Sequence, residues 1–293
     1  MTEGATAMAI DILAALQTDP PELDFIWPGF LAGTVGALVA PGATGKSYWT
    51  LEAAISIACS VAGGDLVELA PTKTGRVVYL AGEDPPAALI LRIHAIGQHL
   101  HPASRTAISQ NLTLEPVMGK RLNIMDSKFL DQLIALGTGA RLIVLDTLSR
   151  IHLLDENDNG AMARLISTLE HVADSTGSAV LFLHHVNKTS GKEGHTSQQA
   201  ARGASALVDN VRWCGFMTKM NDHEAEHLSA SNVGFHPIGK DRKGTFVRFG
   251  VCKQNYAAIQ PDRWYERKKG GVLLPVKLTN AKPHNKVKLR DEI

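Results

Sequence analysis

The chain has 293 residues, 44% of them hydrophobic and 20% charged, which suits one substantial α/β core with a small appendage and excludes a string of several domains. Lys and Arg number 30 against 29 Asp and Glu, so the net charge of +1 excludes a strongly basic coat protein and confines any nucleic-acid binding to a local surface. The three cysteines, Cys59, Cys214 and Cys252, lie far apart and read as buried thiols of a cytoplasmic protein, and no apolar run nears the roughly 18 residues of a membrane span.

Residues 7–16 carry a short helical pattern ended by Asp19-Pro20-Pro21, and a connector bearing Pro and Gly runs on to Gly33. Residues 1–32 thus stand as an arm before a main domain at 33–278. From residue 34 the chain alternates apolar strand-like runs (34–39, 76–81, 112–117, 141–146, 179–184) with helical patterns (48–58, 87–100, 128–136, 162–173). This alternation predicts a mostly parallel sheet covered by helices. In the helix opening near Asn159, residues Met162, Leu165, Ile166, Leu169 and Val172 recur at helical spacing, and Gly177 lies just past its end. After His185 the stretch 187–195 loses all apolar periodicity and reads as a mobile loop. Strands are expected again at 210–217, 245–253, 263–266 and 271–276, with Gly270-Gly271 as a hairpin signal, so the sheet should end in antiparallel ribbons. Residues 279–293 form a basic tail, poor in apolar residues and expected to be disordered.

The strongest chemical signal is Ala40-Pro41-Gly42-Ala43-Thr44-Gly45-Lys46-Ser47, which follows an apolar strand and opens a helix. Such a loop wraps phosphates in backbone N–H groups. Gly42 and Gly45 permit the turn, Lys46 meets the β- and γ-phosphates of ATP, and Ser47 holds Mg²⁺. Ala40 stands where the general pattern has its first glycine. The apolar run Leu142-Ile143-Val144-Leu145 delivers Asp146 at the strand's C-terminal end, where open α/β sheets bind ligands. Asp146 is either a Mg²⁺ carboxylate acting through water, assisted by Thr147, or a helix cap. The run 77–81 likewise leads to Glu83-Asp84. Either Glu83 is the base that orients or deprotonates the attacking water, or the acidic pair caps the helix begun by Pro85-Pro86.

His184 and His185 end the next strand and point to opposite faces, so one imidazole at most serves the nucleotide, and His185 is the favoured sensor. His195 has no cysteine or suitably spaced histidine near it to make a zinc set. Arg202 and Arg212 flank a small helical stretch; each is either an arginine finger for a neighbouring subunit, a partner of Asp209, or a cover for apolar surface through its stem.

In this order the motifs resemble the RepA replicative helicases of broad-host-range plasmids, ring-forming relatives of the DnaB helicases with a RecA-like α/β P-loop NTPase core. The resemblance runs over residues 23–276 and rests on 31–39 before the loop, Ala81-Gly82-Glu83-Asp84-Pro85-Pro86, Val144-Leu145-Asp146-Thr147-Leu148, Phe182-Leu183-His184-His185, Arg202-Gly203 with residues 207–213, and Lys253-Gln254-Asn255-Tyr256. It implies Lys46 and Ser47 at the phosphates, Glu83 as catalytic carboxylate, Asp146 at the metal, His185 as sensor and Arg212 as the favoured finger. It also implies a homo-hexamer moving 5′ to 3′ on single-stranded DNA, and it extends the partners to a primase and an origin-binding initiator. The arm and the loop 186–199 depart from the family pattern. Within that loop Lys188 and Lys192 are the candidate DNA contacts, facing a central channel. Two other functions fit the same motifs: a filament-forming recombination ATPase, and a DNA-binding regulator that uses ATP as a switch without unwinding.

Overall fold

A computed structural model of the chain describes residues 9–186, 205–231, 235–256 and 260–282. Its centre is a nine-stranded sheet in the order β12-β11-β10-β8-β3-β7-β6-β4-β5. The strands are β3 (Val35–Ala40), β4 (Val77–Ala81), β5 (Leu112–Pro116), β6 (Leu142–Asp146), β7 (Ala179–His185), β8 (Trp213–Lys219), β10 (Phe246–Gln254), β11 (Arg263–Arg267) and β12 (Leu273–Val276). From β8 to β5 every pairing is parallel, and from β8 to β12 every pairing is antiparallel. The parallel strands β3, β4 and β6 are buried at every residue, which is why they read as unbroken apolar runs: helices cover both faces.

Odd and even positions of each strand serve different faces. Leu38, Tyr79, Val144 and Leu181 pack against α2 (Lys46–Ala58), α3 (Pro86–Gly97) and α4 (Pro102–Asn111). Ala37, Val78, Ile143 and Phe182 pack against α6 (Asn159–Thr176) and α5 (Ser127–Gly137). Helix α6 starts and stops where its sequence says. The Asp158 side chain accepts from the N–H groups of Gly160 and Ala161, and Gly177 takes φ +68°, a conformation that favours glycine. The register sets Ala40 beside His185 and Ala81 beside Asp146, so the C-terminal ends of β3, β7, β6 and β4 share one edge of the sheet.

Several boundaries differ from the sequence expectation. Residues 25–31 fall in the expected arm, yet they form a hairpin, β1 (Phe25–Trp27) with β2 (Phe30–Leu31), whose Ile26, Trp27 and Phe30 are buried in the main core. The Trp27 and Phe30 rings join Trp49, Trp213 and Phe249 in one aromatic cluster, with Trp49 stacked on Phe249 at 4.1 Å between centroids. The strand expected at 210–217 is displaced, because the helix α7 (Ser205–Asn210) runs to Asn210 and β8 begins only at Trp213. Helices α4 and α8 (Asp222–His227) lie outside the expected pattern, since both are short and mostly polar. Within the expected tail, β13 (Thr279–Asn280) pairs with β9 (Leu228–Ser229). Cys59, Cys214 and Cys252 are free, the last half-buried. No helix among the described residues is long and apolar enough to cross a membrane.

Candidate nucleotide site

The shared edge of the sheet carries the predicted loop. β3 ends at Ala40 and α2 begins at Lys46, with Gly45 at φ +104° and Ala43 at φ +58°. Gly42, expected to permit the turn, is not at positive φ; the left-handed positions are 43 and 45. A Cβ at Gly42 would meet no protein atom within 4 Å, so the loop leaves open space on that side for a ligand. Ala40 is ordinary strand, buried and extended, a backbone state that does not call for the glycine of the general pattern. The Thr44 hydroxyl donates to the Pro41 carbonyl at 2.6 Å and closes the loop on itself.

Lys46 is 4% exposed. Its ammonium reaches the Ala40 carbonyl at 3.4 Å and Nδ1 of His185 at 3.0 Å. An ammonium only donates, so Nδ1 is the acceptor and the imidazole proton sits on Nε2, which faces Glu83 Oε1 at 3.4 Å. The Thr147 hydroxyl donates to the same Glu83 oxygen at 3.2 Å. Lysine, imidazole and carboxylate therefore form one chain across the mouths of β3, β7 and β4. Burial pulls the Lys46 pKa down to about 8, against the opposing pull of Asp146 and Glu83. The hydrogen bond from His185 holds Glu83 below the usual carboxylate range. His184 faces the opposite side of the sheet, is buried, and has its pKa lowered by that burial.

Asp146 lies behind this chain and is 4% exposed. Ser47 Oγ donates to its Oδ1 at 3.1 Å and the Tyr79 hydroxyl to its Oδ2 at 2.7 Å. Burial raises the Asp146 pKa, opposed by those two hydrogen bonds. Each bond to the ionised carboxylate contributes about 1.5–3 kcal/mol. Asp146 does not cap a helix: the following 3-10 turn starts after Thr147 and has no side-chain cap. A hydroxyl and a carboxylate side by side at the foot of a phosphate loop are the hard oxygen donors that Mg²⁺ takes, so these residues fit that ion.

Two features of the cleft have no counterpart in the sequence reading. It encloses about 290 Å³, and Arg267 and Arg92 line it together with the loop. Arg267, on β11, donates to the Thr44 carbonyl at 2.9 Å, and its guanidinium lies 3.0 Å from where a Cβ on Gly45 would sit. Arg92 lies 5.0 Å above the Tyr48 ring and pairs with Asp84 at 2.6 Å. Asp84 is therefore an ion-pair partner. It does not cap α3, whose N-cap is Pro85 without a side-chain bond.

Arg212 lies at the opposite end of the sheet. Its N–H donates to the carbonyl of Val35, the first residue of β3, which puts it about 16 Å along the strand from Ala40. Its side chain is exposed, with no acidic partner among the described residues. Lys188, Lys192, His195 and Arg202 lie outside the described residues.

The family described as "AAA domain" matches residues 5–191, more than half of the chain. Among solved structures, one described as an "ATPase Domain" aligns at 12% identity with a TM-score of 0.55, over 85% of this chain and 87% of that one. Another, described as "Crystal structure of the RadB recombinase", aligns at 13% identity with a TM-score of 0.49, over 84% of this chain and 90% of that one. At this identity the first likeness concerns the fold alone.

Proposed function

We propose, from the premise that the chain belongs to the AAA domain family and carries a RecA-like P-loop NTPase fold, that it hydrolyses ATP as a homo-hexameric helicase moving 5′ to 3′ on single-stranded DNA in plasmid-type replication. The observation that carries the hydrolytic part is the chain from Lys46 through His185 to Glu83, set beside Ser47 and Asp146.

The residues divide the work by position. Backbone N–H groups of the loop 41–46 take the phosphates, and Lys46 exchanges its contact with His185 for the β- and γ-phosphates. Ser47 with Asp146 would hold Mg²⁺, which would supply charge compensation on those phosphates. Glu83, ionised and aimed by Thr147, accepts a proton from the water that attacks the γ-phosphorus, and ADP leaves with the bridging oxygen. Loss of the Lys46 contact releases one of the two anchors of the His185 ring, which is then free to reorient as the γ-phosphate arrives and leaves. Because His185 is followed directly by the segment that holds Lys188 and Lys192, a shift of this ring is passed to the DNA contacts.

Forked DNA tailed on one strand at a time tests the motor. Unwinding is expected with ATP on forks carrying a 5′ tail and not on those carrying only a 3′ tail, with closed rings in electron micrographs. Replacing Lys188 and Lys192 together by Ala should weaken single-strand affinity, lower its salt slope by about 1.4 and cut DNA-stimulated ATPase, while basal ATPase stays nearly intact. Helical filaments would instead favour a recombination ATPase. ATPase activity without unwinding would favour an ATP-switched regulator.

Arg212 stands far from its own loop and bears an exposed guanidinium, which supports a role in a neighbour's site. Arg212→Ala should lower hydrolysis by about 10³–10⁵-fold while hexamers still form. Mixing it with Lys46→Ala subunits should restore activity at interfaces where one chain supplies the loop and the other the arginine. Mixed hexamers that stay inactive would move the assignment to Arg202.

A further inference from the structure

Strand β4 is buried along its whole length, and four of its five residues are Val, Leu or Ala. Tyr79 alone brings a polar side-chain atom into it. If the position needed only volume, phenylalanine would fill it; a hydroxyl in a residue 2% exposed must find a partner. That partner is Oδ2 of Asp146, at 2.7 Å. The register explains the reach. Tyr79 lies opposite Val144 on the neighbouring parallel strand, so its ring runs forward along the same face to the residue two further on.

We infer that Tyr79 is a positioning residue of the nucleotide site, whose hydroxyl fixes the Asp146 carboxylate in the orientation that binds a divalent cation. This rests on the reading of Asp146 and Ser47 as the Mg²⁺ residues. An aspartate carboxylate turns readily about its last torsion. With Oδ2 bound by Tyr79, rotation breaks a buried hydrogen bond, and Oδ1 stays toward the Ser47 hydroxyl, 3.1 Å away. The Tyr79 hydroxyl also comes within 3.5 Å of the Ser47 carbonyl, so one atom touches the supports of both metal-binding groups. Tyr79 touches neither the loop's open side nor Glu83 in this arrangement, and it acts through Asp146.

The test is Tyr79→Phe in the full chain, which keeps the ring and removes one oxygen. A fluorescent ATP analogue measures nucleotide affinity in EDTA, and Mn²⁺ electron paramagnetic resonance in the presence of a non-hydrolysable ATP analogue measures metal affinity. Nucleotide affinity in EDTA should be unchanged. Mn²⁺ affinity should fall by about 10–100-fold, the usual effect of removing the partner that orients a metal ligand. The Mg²⁺ concentration for half-maximal ATPase should rise by the same factor, and excess Mg²⁺ should recover kcat. Unchanged Mn²⁺ affinity, or an equal loss of nucleotide affinity in EDTA, overturns the assignment. Asp146→Asn separates the two levels. If that change leaves Mn²⁺ affinity intact, the metal reading of Asp146 fails. If it lowers Mn²⁺ affinity, adding Tyr79→Phe to it should lower affinity no further, and an additional drop shows that Tyr79 acts elsewhere. The double variant also covers poor folding of the single one, because it leaves no buried anion without its donor.

Discussion

Lys46→Ala is expected to lower ATP hydrolysis by at least about 10²–10³-fold, the scale of losing one preorganised donor to developing charge. Among the described residues neither nearby cation is free to replace it. Arg267 is engaged with the Thr44 carbonyl, and Arg92 is paired with Asp84. The variant should remain folded, because α2 is anchored by Trp49, Leu51, Ile55 and Ile57, all fully or almost fully buried. Removing the ammonium also takes the donor from Nδ1 of His185 and one opposing charge from Glu83 and Asp146. Phosphate release measured at saturating ATP checks the expectation. Turnover near that of the unaltered chain would rule out the loop as the phosphate site.

Glu83→Gln should retain ATP binding and lose about 10²–10⁴-fold in turnover, the contribution of a positioned general base. The amide keeps the shape, and its oxygen still accepts from Thr147 Oγ1, as Glu83 Oε1 does at 3.2 Å. It has no basicity to take the proton of water. The structure also removes the competing explanation, because α3 starts at Pro86 after an N-cap, Pro85, with no side-chain cap bond. Parallel measurement of ATP affinity and single-turnover rate decides the matter. An affinity loss as large as the rate loss would mean that Glu83 serves binding or local structure.

The parts of the site that are legible in the sequence are those built from a strand and the residues immediately after it. Ala40 to Ser47, Glu83, Asp146 and His185 each follow an apolar run, and parallel strands must bring such ends to one edge. The same periodicity places α6 to within a few residues. Helix α4 escapes it because Pro102–Asn111 is mostly polar and buries only Ser104, Ala107 and Ile108. Helix α8 does carry a local signal, the reciprocal capping box of Asn221 and Glu224, but too few apolar residues follow it to mark a helix. Arg267 has no such signal. It is one of two arginines on an antiparallel strand, and only the path of the ribbon brings it to the loop. Tyr79 is hidden in plain view, because a tyrosine in an apolar run reads as core until its hydroxyl is traced to a partner.

The contact between Arg267 and Thr44 spans 223 residues, and Glu52 on α2 accepts from the N–H of Leu273 across 221. The nucleotide loop, although made early, is walled in by the end of the ribbon. At ribosomal speeds of about 5–20 residues per second, roughly 10–45 s separate the synthesis of Thr44 from that of Arg267. Until then ATP meets a pocket lacking one side, so it cannot stabilise the nascent N-terminal half as it stabilises the finished chain. Contacts of such long range also slow the final closure. Nucleotide added to a refolding reaction should therefore leave the early phases unchanged and act only on the last one.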